Sequence, residues 1–230
     1  MKKVLILIPA YNEAGSIEKV VDDLRDRFSD YDYLIVNDGS KDDTLNVCRK
    51  RGYRVMTFPV NLGLECGFVA GMKYAYRKGY DYLVQFDADG QHISDYLDDI
   101  YDEIEKGFDI VIGSRFAKEK KPTSLRMLGG RLISGAIKLT TGNTIKDPTS
   151  GMRMYNRRCM EIFAKEINYG PEPDTISYLM KNGFRVSEVQ VEMRERETGT
   201  SYLTISKSIA YMLKILTSIL FIQNFRRKVK

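Results

Sequence analysis

Two carboxylates stand two residues apart in VQFDADGQH (84–92), where an apolar run gives way to Asp87, Ala88 and Asp89 and then to Gly90, Gln91 and His92. Side chains two apart on an extended backbone point the same way, so Asp87 and Asp89 address one ligand. A bare diphosphate in that place would be repelled by about 4 kcal/mol for each carboxylate–phosphate contact at roughly 4 Å in a partly exposed site. A divalent cation must therefore intervene. Hard oxygen donors of this kind suit Mg2+ or Mn2+, with substrate phosphates completing the shell and Gln91 offering an amide oxygen. Ser94 followed by Asp95 also reads as a helix start, so the same stretch doubles as a capping loop.

What positions such a pair is a set of short apolar strands. Residues 3–10, 33–38, 54–59, 82–87 and 109–114 read as strands, and 16–28, 43–51, 67–78 and 94–105 carry apolar residues at helical spacing between them. Strands that are apolar almost throughout, alternating with helices, imply an α/β fold with a mostly parallel sheet covered on both faces. Ligands of such sheets bind outside the carboxyl ends of the strands. Those ends read PAYNE (9–13), NDGS (37–40), NLG (61–63), DADGQ (87–91) and GSR (113–115). Each alone is ordinary turn chemistry, but five in succession place acids, amides, glycines and an arginine on one rim.

Composition narrows the class. A chain of 230 residues with 43% hydrophobic content is large enough for one well-packed domain. The net charge of +5 is too small for a nucleic-acid binder, and the excess gathers near the C-terminus. Cys48, Cys66 and Cys159 are odd in number and form no CxxC pair, so neither a disulfide framework nor a zinc site is expected, and a reducing cytoplasm fits. The opening MKKVLILIPAYNE meets Pro9 and Asn12 without a small-residue cleavage site, and reads as a first strand rather than a leader.

Taken in order, IPAYNE, VNDGSKDDT, NLGLECGFVAG, DADGQH, GSR, DPTSGMR and RETGTS resemble the motif set of inverting family 2 glycosyltransferases of GT-A fold. Within them they are similar to the polyprenyl-phosphate glycosyltransferases typified by dolichol-phosphate mannose synthase, over residues 3 to about 202. The resemblance implies a GT-A (Rossmann-like) sheet and residue roles that follow the motifs. Pro9, Tyr11 and Glu13 line the nucleotide site, with Val36 and Asp38 at the base and ribose. Asp87, Ala88 and Asp89 meet the diphosphate and metal, joined by Gln91. Arg115 and Arg196 neutralise phosphates, and Arg126 and Arg131 lie where the family keeps basic residues for an acceptor phosphate. Asp147 of DPTSGMR is the candidate base, beside Asp89, Arg115 and Arg196 in the catalytic set; its alternative is a turn aspartate before Pro148. The chain departs from the pattern at Tyr202, where a lysine is frequent, and at Ser94, where a proline is usual. The lone His92 is given a structural role.

The reaction so implied is in-line transfer of a sugar from a nucleotide-sugar, with a UDP-linked donor favoured, to an acceptor. A hydroxyl acceptor, with a pKa of roughly 16 like water, requires a general base. A phosphate monoester, with a second pKa of about 6, is already anionic. Polyprenyl phosphate at the cytosolic membrane face is the expected acceptor. A saccharide hydroxyl in cell-surface polysaccharide synthesis is the alternative, and a nucleotidyltransferase a more distant one.

Residues 203–230 form a separate segment after the catalytic domain of 1–202. Ile209, Met212, Leu213, Leu216, Ile219 and Leu220 make one helical stripe, and Lys207 and Lys214 lie on another. The uncharged run 215–225 reaches only about 16 Å as a helix against roughly 30 Å of hydrocarbon. A longer span places Lys214 near mid-membrane at a cost of roughly 3 kcal/mol. The expectation is an in-plane helix on the inner face of the cell membrane, with Arg226, Arg227, Lys228 and Lys230 toward anionic headgroups at about 1 kcal/mol each. The alternatives are a core helix packed on the protein itself, a contact with a second copy of the chain, or docking on a small membrane-protein subunit.

Overall fold

In the computed structural model, residues 2–119, 121–122, 125–194, 205–226 and 228 are described, the side chains of 125, 126 and 205–207 excepted. Seven strands form one sheet: β1 (Val4–Ala10), β2 (Asp32–Asn37), β3 (Val55–Thr57), β4 (Tyr82–Gln85), β5 (Ile110–Ser114), β6 (Arg153–Asn156) and β7 (Val186–Gln190). Their order is β3-β2-β1-β4-β6-β5-β7. All pairings are parallel except those of β6, which runs antiparallel to β4 and β5 between them. The five expected strands are present. The exception, β6, arises within the DPTSGMR motif and its continuation, and it makes the sheet mixed.

Strand alternation sets the two cores. Leu5 and Leu7 of β1 face one side with α3 (Leu64–Lys78), α5 (Leu125–Thr141), α6 (Arg157–Lys165), α7 (Pro173–Lys181) and α8 (Ile205–Leu220). Val4, Ile6 and Ile8 face the other, with α1 (Ile17–Arg27), α2 (Thr44–Lys50) and α4 (Leu97–Ile104). Burial on both faces is the reason these strands are apolar throughout.

The sequence draws a boundary at 202, but the described part of the later segment shares the first core. Helix α8 packs against α5 and α7. Ile215 and Ile219 are fully buried, and the chain is anchored by polar bonds: Tyr211 donates to Glu172, and Ser218 Oγ donates to Asp174 Oδ2 at 2.6 Å. The α5–α8 crossing is close because Gly129 has no side chain; a Cβ there would overlap Met212 Sδ.

Candidate active site

The rim expected from the strand ends exists, and β6 completes it. Running antiparallel, β6 starts where its neighbours finish: Arg153 is in register with Gln85 of β4 and Ile112 of β5. The loop 147–151 is thereby inserted between the Asp87 loop and the Arg115 loop. Ser150 Oγ donates to the Gly113 carbonyl at 2.5 Å, and Gly113 N–H to the Met152 carbonyl at 2.8 Å. Gly151 faces Asp87 so closely that a Cβ would come within 2.5 Å of Asp87 Oδ2.

Asp87 is held from several sides. Gln85 Nε2 donates to its Oδ1 at 3.0 Å. His92 Nδ1 accepts the Asp87 N–H at 3.1 Å, which puts the ring proton on Nε2, and Nε2 faces Asp87 Oδ2 at 3.6 Å. His92 is buried and stacked edge-on against Phe86, so it braces the carboxylate. Asp89 Oδ1 accepts the Gln91 N–H at 3.1 Å. Among the described residues no three His, Cys, Asp or Glu side chains converge as a metal cage. The donor set fits instead a Mg2+ or Mn2+ ion shared with substrate phosphates, since such ions are commonly held by one or two carboxylates plus phosphate oxygens. Among the described residues, Gln85 Oε1 and His92 Nε2, both buried beside Asp87, have no hydrogen-bond partner, so this corner has polar capacity to spare. Gln91 also ties this loop to the chain at Arg194: its amide nitrogen reaches the Arg194 carbonyl at 3.4 Å and its backbone carbonyl accepts the Arg194 N–H at 2.9 Å, contacts that do not use its amide oxygen.

The nucleotide-side residues divide. Pro9, Tyr11 and Glu13 are partly exposed at the end of β1. Their loop is tied to the β2–α2 loop, with Asn12 N–H on Ser40 Oγ at 3.0 Å and Glu13 N–H on Thr44 Oγ1 at 2.9 Å. Val36 is fully buried under Gly67 of α3, so its side chain supports the site from below and does not reach a base. Ala88 is likewise buried in the second core and serves as the spacer that turns Asp87 and Asp89 the same way. The Asp38 carboxylate is already engaged, accepting the N–H groups of Leu62 and Gly63 at 2.7 and 2.8 Å. It thereby fixes the NLG loop at the start of α3.

Arg115 and Asp147 form the strongest pair on the rim. Arg115 Nε donates to Asp147 Oδ2 at 2.7 Å, its Nη2 to Oδ1 at 2.8 Å and its backbone N–H to Oδ2 at 3.1 Å. Burial pushes the Asp147 carboxyl up, but hydrogen bonds and charge from Arg115 outweigh it and hold the group below the usual carboxylate range. The bond to Asp147 raises the Arg115 guanidinium above its ordinary value. Next to this pair lies a cavity of about 520 Å³ lined by Phe116, Glu119, Lys121, Arg131, Ser134, Thr144 and Lys146. Burial lowers the Lys121 ammonium from its ordinary value, with Asp147 and Glu188 acting in the opposite direction. A smaller cavity at the other end of the sheet includes Lys2 and Arg27, whose charges are already paired with Glu105 and Asp95.

Arg131, expected on the acceptor side, lines this cavity together with Lys121 and Lys146, which sequence reasoning passed over. The Arg126 side chain and the whole of Arg196, with Tyr202, lie outside the described residues. Also missed was Arg153, 2% exposed, which donates to the carbonyls of Ser150, Pro171 and Pro148 at 2.7, 2.6 and 2.7 Å. It shapes the 147–151 loop while keeping a positive charge beneath it.

The sequence profile of Glycosyl transferase family 2 matches residues 5–163. The chain is 32% identical to undecaprenyl-phosphate mannosyltransferase of Micrococcus luteus, covering 88% of each chain. It is 29% identical to polyprenol monophosphomannose synthase of Mycolicibacterium smegmatis, over 93% of this chain and 86% of that one. Its fold is similar to glucosyl-3-phosphoglycerate synthase of Mycobacterium tuberculosis, crystallised with Mn2+, uridine diphosphate and phosphoglyceric acid. The TM-score is 0.68 at 15% identity, over 95% of this chain and 78% of that one.

Proposed function

Because the chain belongs to glycosyl transferase family 2, we propose that it transfers a sugar, with inversion and with Mg2+ or Mn2+, from a nucleotide-sugar to a polyprenyl phosphate at the inner face of the cell membrane. The observation that carries the acceptor is the basic cavity beside the Arg115–Asp147 pair, where Lys121, Arg131 and Lys146 gather. A partly desolvated ammonium such as Lys121 gains from an incoming dianion. Relatives that are named for transfer to undecaprenyl phosphate or polyprenol support the same acceptor class, and a neighbour of this fold is crystallised with Mn2+ and a nucleoside diphosphate.

The mechanism follows from charge and position. Asp87, braced by Gln85 and His92, and Asp89, held by Gln91, would hold the cation, which when bound would supply charge neutralisation for the leaving group. Arg115 adds a planar guanidinium at the same edge and stabilises negative charge as the sugar–phosphate bond breaks. Asp147 aims Arg115, since both its oxygens are engaged by that residue. A phosphate acceptor is anionic at neutral pH and needs no base; Lys121, Arg131 and Lys146 align it for in-line attack.

One helix links this pocket to a lipid surface. Arg131 and Ser134 of α5 line the cavity, while Leu128, Leu132 and Leu139 of the same helix are exposed. Beside α5, α8 and the turn after it expose Ile209, Leu213, Phe221, Ile222 and Phe225. Residues Ser208–Phe225 are long and apolar enough to cross a membrane by length and composition. Docking on α5 and α7, with Lys214 exposed near the middle, favours a helix lying on the surface.

The test offers labelled UDP-glucose, UDP-N-acetylglucosamine and GDP-mannose with polyprenyl phosphate and Mn2+, and follows label into the organic phase. One donor is expected to give a sugar lipid, and Asp89→Asn to lower turnover about 10²–10³-fold, equivalent to several kcal/mol of lost charge stabilisation. Release of pyrophosphate from a nucleoside triphosphate, or full activity of Asp89→Asn, would overturn the reading.

A further inference from the structure

The edge strand β7 holds the two loops that carry the Arg115–Asp147 pair, and it does so with side chains two residues apart. Glu188 accepts the Lys146 N–H at Oε2, 2.6 Å, and the Asp147 N–H at Oε1, 2.7 Å. Gln190 accepts the Lys118 N–H at 2.7 Å and donates to the Arg115 carbonyl at 2.9 Å. The strand's period of two sends both side chains to one face, while Ser187 turns to the other and donates to Glu103 at 2.6 Å. One strand thus fixes the backbone of the anion and that of its cation independently.

The choice of a carboxylate at 188 is informative. It lies in the electrostatic neighbourhood that contains Asp147, Lys121, Arg115 and Arg131. A neutral acceptor would satisfy a backbone N–H without adding a second negative charge beside Asp147. A carboxylate offers two oxygens to two consecutive amides, which a side-chain amide, with one oxygen and one donor nitrogen, does not. Two consecutive N–H groups on one carboxylate leave the Asp147 backbone little freedom to rotate, so its side chain meets Arg115 in one geometry.

We propose that Glu188 is a positioning residue for sugar transfer, acting through the backbone of Lys146 and Asp147 on the Arg115–Asp147 pair, with Gln190 holding the Arg115 side of the same pair. This rests on the transferase reading above. It adds a geometric requirement to that reading: the pair must be set before substrate arrives.

The experiment compares Glu188→Gln and Glu188→Asp with Ser187→Ala, which removes a polar bond of the same strand on the opposite face. Amide hydrogen exchange at Lys146 and Asp147, thermal midpoint, and kcat and donor KM are measured on the full chain. Glu188→Gln is expected to expose at least one of the two amides to exchange and to lower kcat by about tenfold to hundredfold, the cost of small misplacements at a reacting centre, with donor KM nearly unchanged. Glu188→Asp, keeping both oxygens, is expected to recover part of kcat. Ser187→Ala should leave kcat and the two amides as in the wild type. Unchanged exchange at both amides in Glu188→Gln, or a kcat loss that tracks the thermal midpoint equally in Glu188→Gln and Ser187→Ala, would overturn the proposal. A wild-type protein that transfers nothing to polyprenyl phosphate overturns the function reading instead, and the exchange data still decide the latch.

Discussion

Asp147 is pulled two ways, upward by burial and downward by Arg115, and the downward pull wins. Its side chain is 2% exposed and that of Arg115 28% exposed, so the pair is only partly screened. A carboxyl depressed in the folded state contributes stability that is fully present above its unfolded pKa of about 3.9 and is lost as pH falls through the lower folded value. Thermal midpoints measured from pH 7 down to pH 2 should therefore fall in the wild type below about pH 4. Asp147→Asn should start lower, by up to about 3 kcal/mol at neutral pH because Arg115 loses its partner, and show a flatter acid limb. Parallel acid limbs in the two proteins would show that Asp147 is not held by Arg115. Asp87, Asp89 and Arg115 were legible in the sequence because each follows an apolar strand, and Asp147 because it stands in a recognisable motif. Glu188, Lys121, Lys146 and Arg153 were not: Glu188 meets the backbone of Lys146 and Asp147 only once β7 pairs with β5, the cavity of Lys121 and Lys146 forms only when α5 packs beside them, and Arg153 stands at the start of a four-residue strand. One signal was present for Glu188: in VSEVQV, residues 186–191, polar side chains at 188 and 190 alternate with valines at 189 and 191.

Elements were readable wherever a periodic pattern ran long enough. The first five strands and the four helices among them stand close to their expected bounds, with α3 beginning at Leu64 rather than Gly67. Strand β6 escaped because RMYN is four residues long and begins with a buried arginine, a pattern that resembles neither strand nor helix. Helix α8 was found, but its stripe was split. The face that docks carries Ile215 and Ile219 with the anchors Tyr211 and Ser218, and hydrophobic periodicity counts those two hydroxyl residues as outward. Ile209 and Leu213 of the stripe remain exposed. Deleting the segment would therefore remove part of the core, and point variants are the sounder test of lipid binding. Leu213→Ser combined with Phe225→Ser should weaken binding to anionic vesicles in a flotation assay by at least about tenfold, since each large apolar side chain contributes roughly 1.5–3 kcal/mol on burial. Binding should also weaken at high salt. Unchanged flotation with an altered oligomeric state would assign the face to protein contact.

At the scale of the molecule, one antiparallel strand in an otherwise parallel sheet turns a rim of strand ends into a two-sided site. The parallel strands bring the nucleotide-side loops and Asp87, and the start of β6 brings Asp147 against Arg115. The basic cavity then opens between that pair and α5, which also exposes Leu128, Leu132 and Leu139. On the proposed function, donor, acceptor phosphate and lipid surface would follow one another along this edge, from the Asp87 loop through the basic cavity to the exposed leucines of α5. The account stands or falls on the acceptor, and the most direct measurement offers the same labelled donor with polyprenyl phosphate, the corresponding polyprenol and a soluble saccharide. Sugar should appear in the lipid phase with the phosphate alone, and Lys121→Ala with Arg131→Ala should raise the KM for that acceptor while leaving the donor KM in place. Equal transfer to polyprenol, or transfer to the saccharide only, would contradict it.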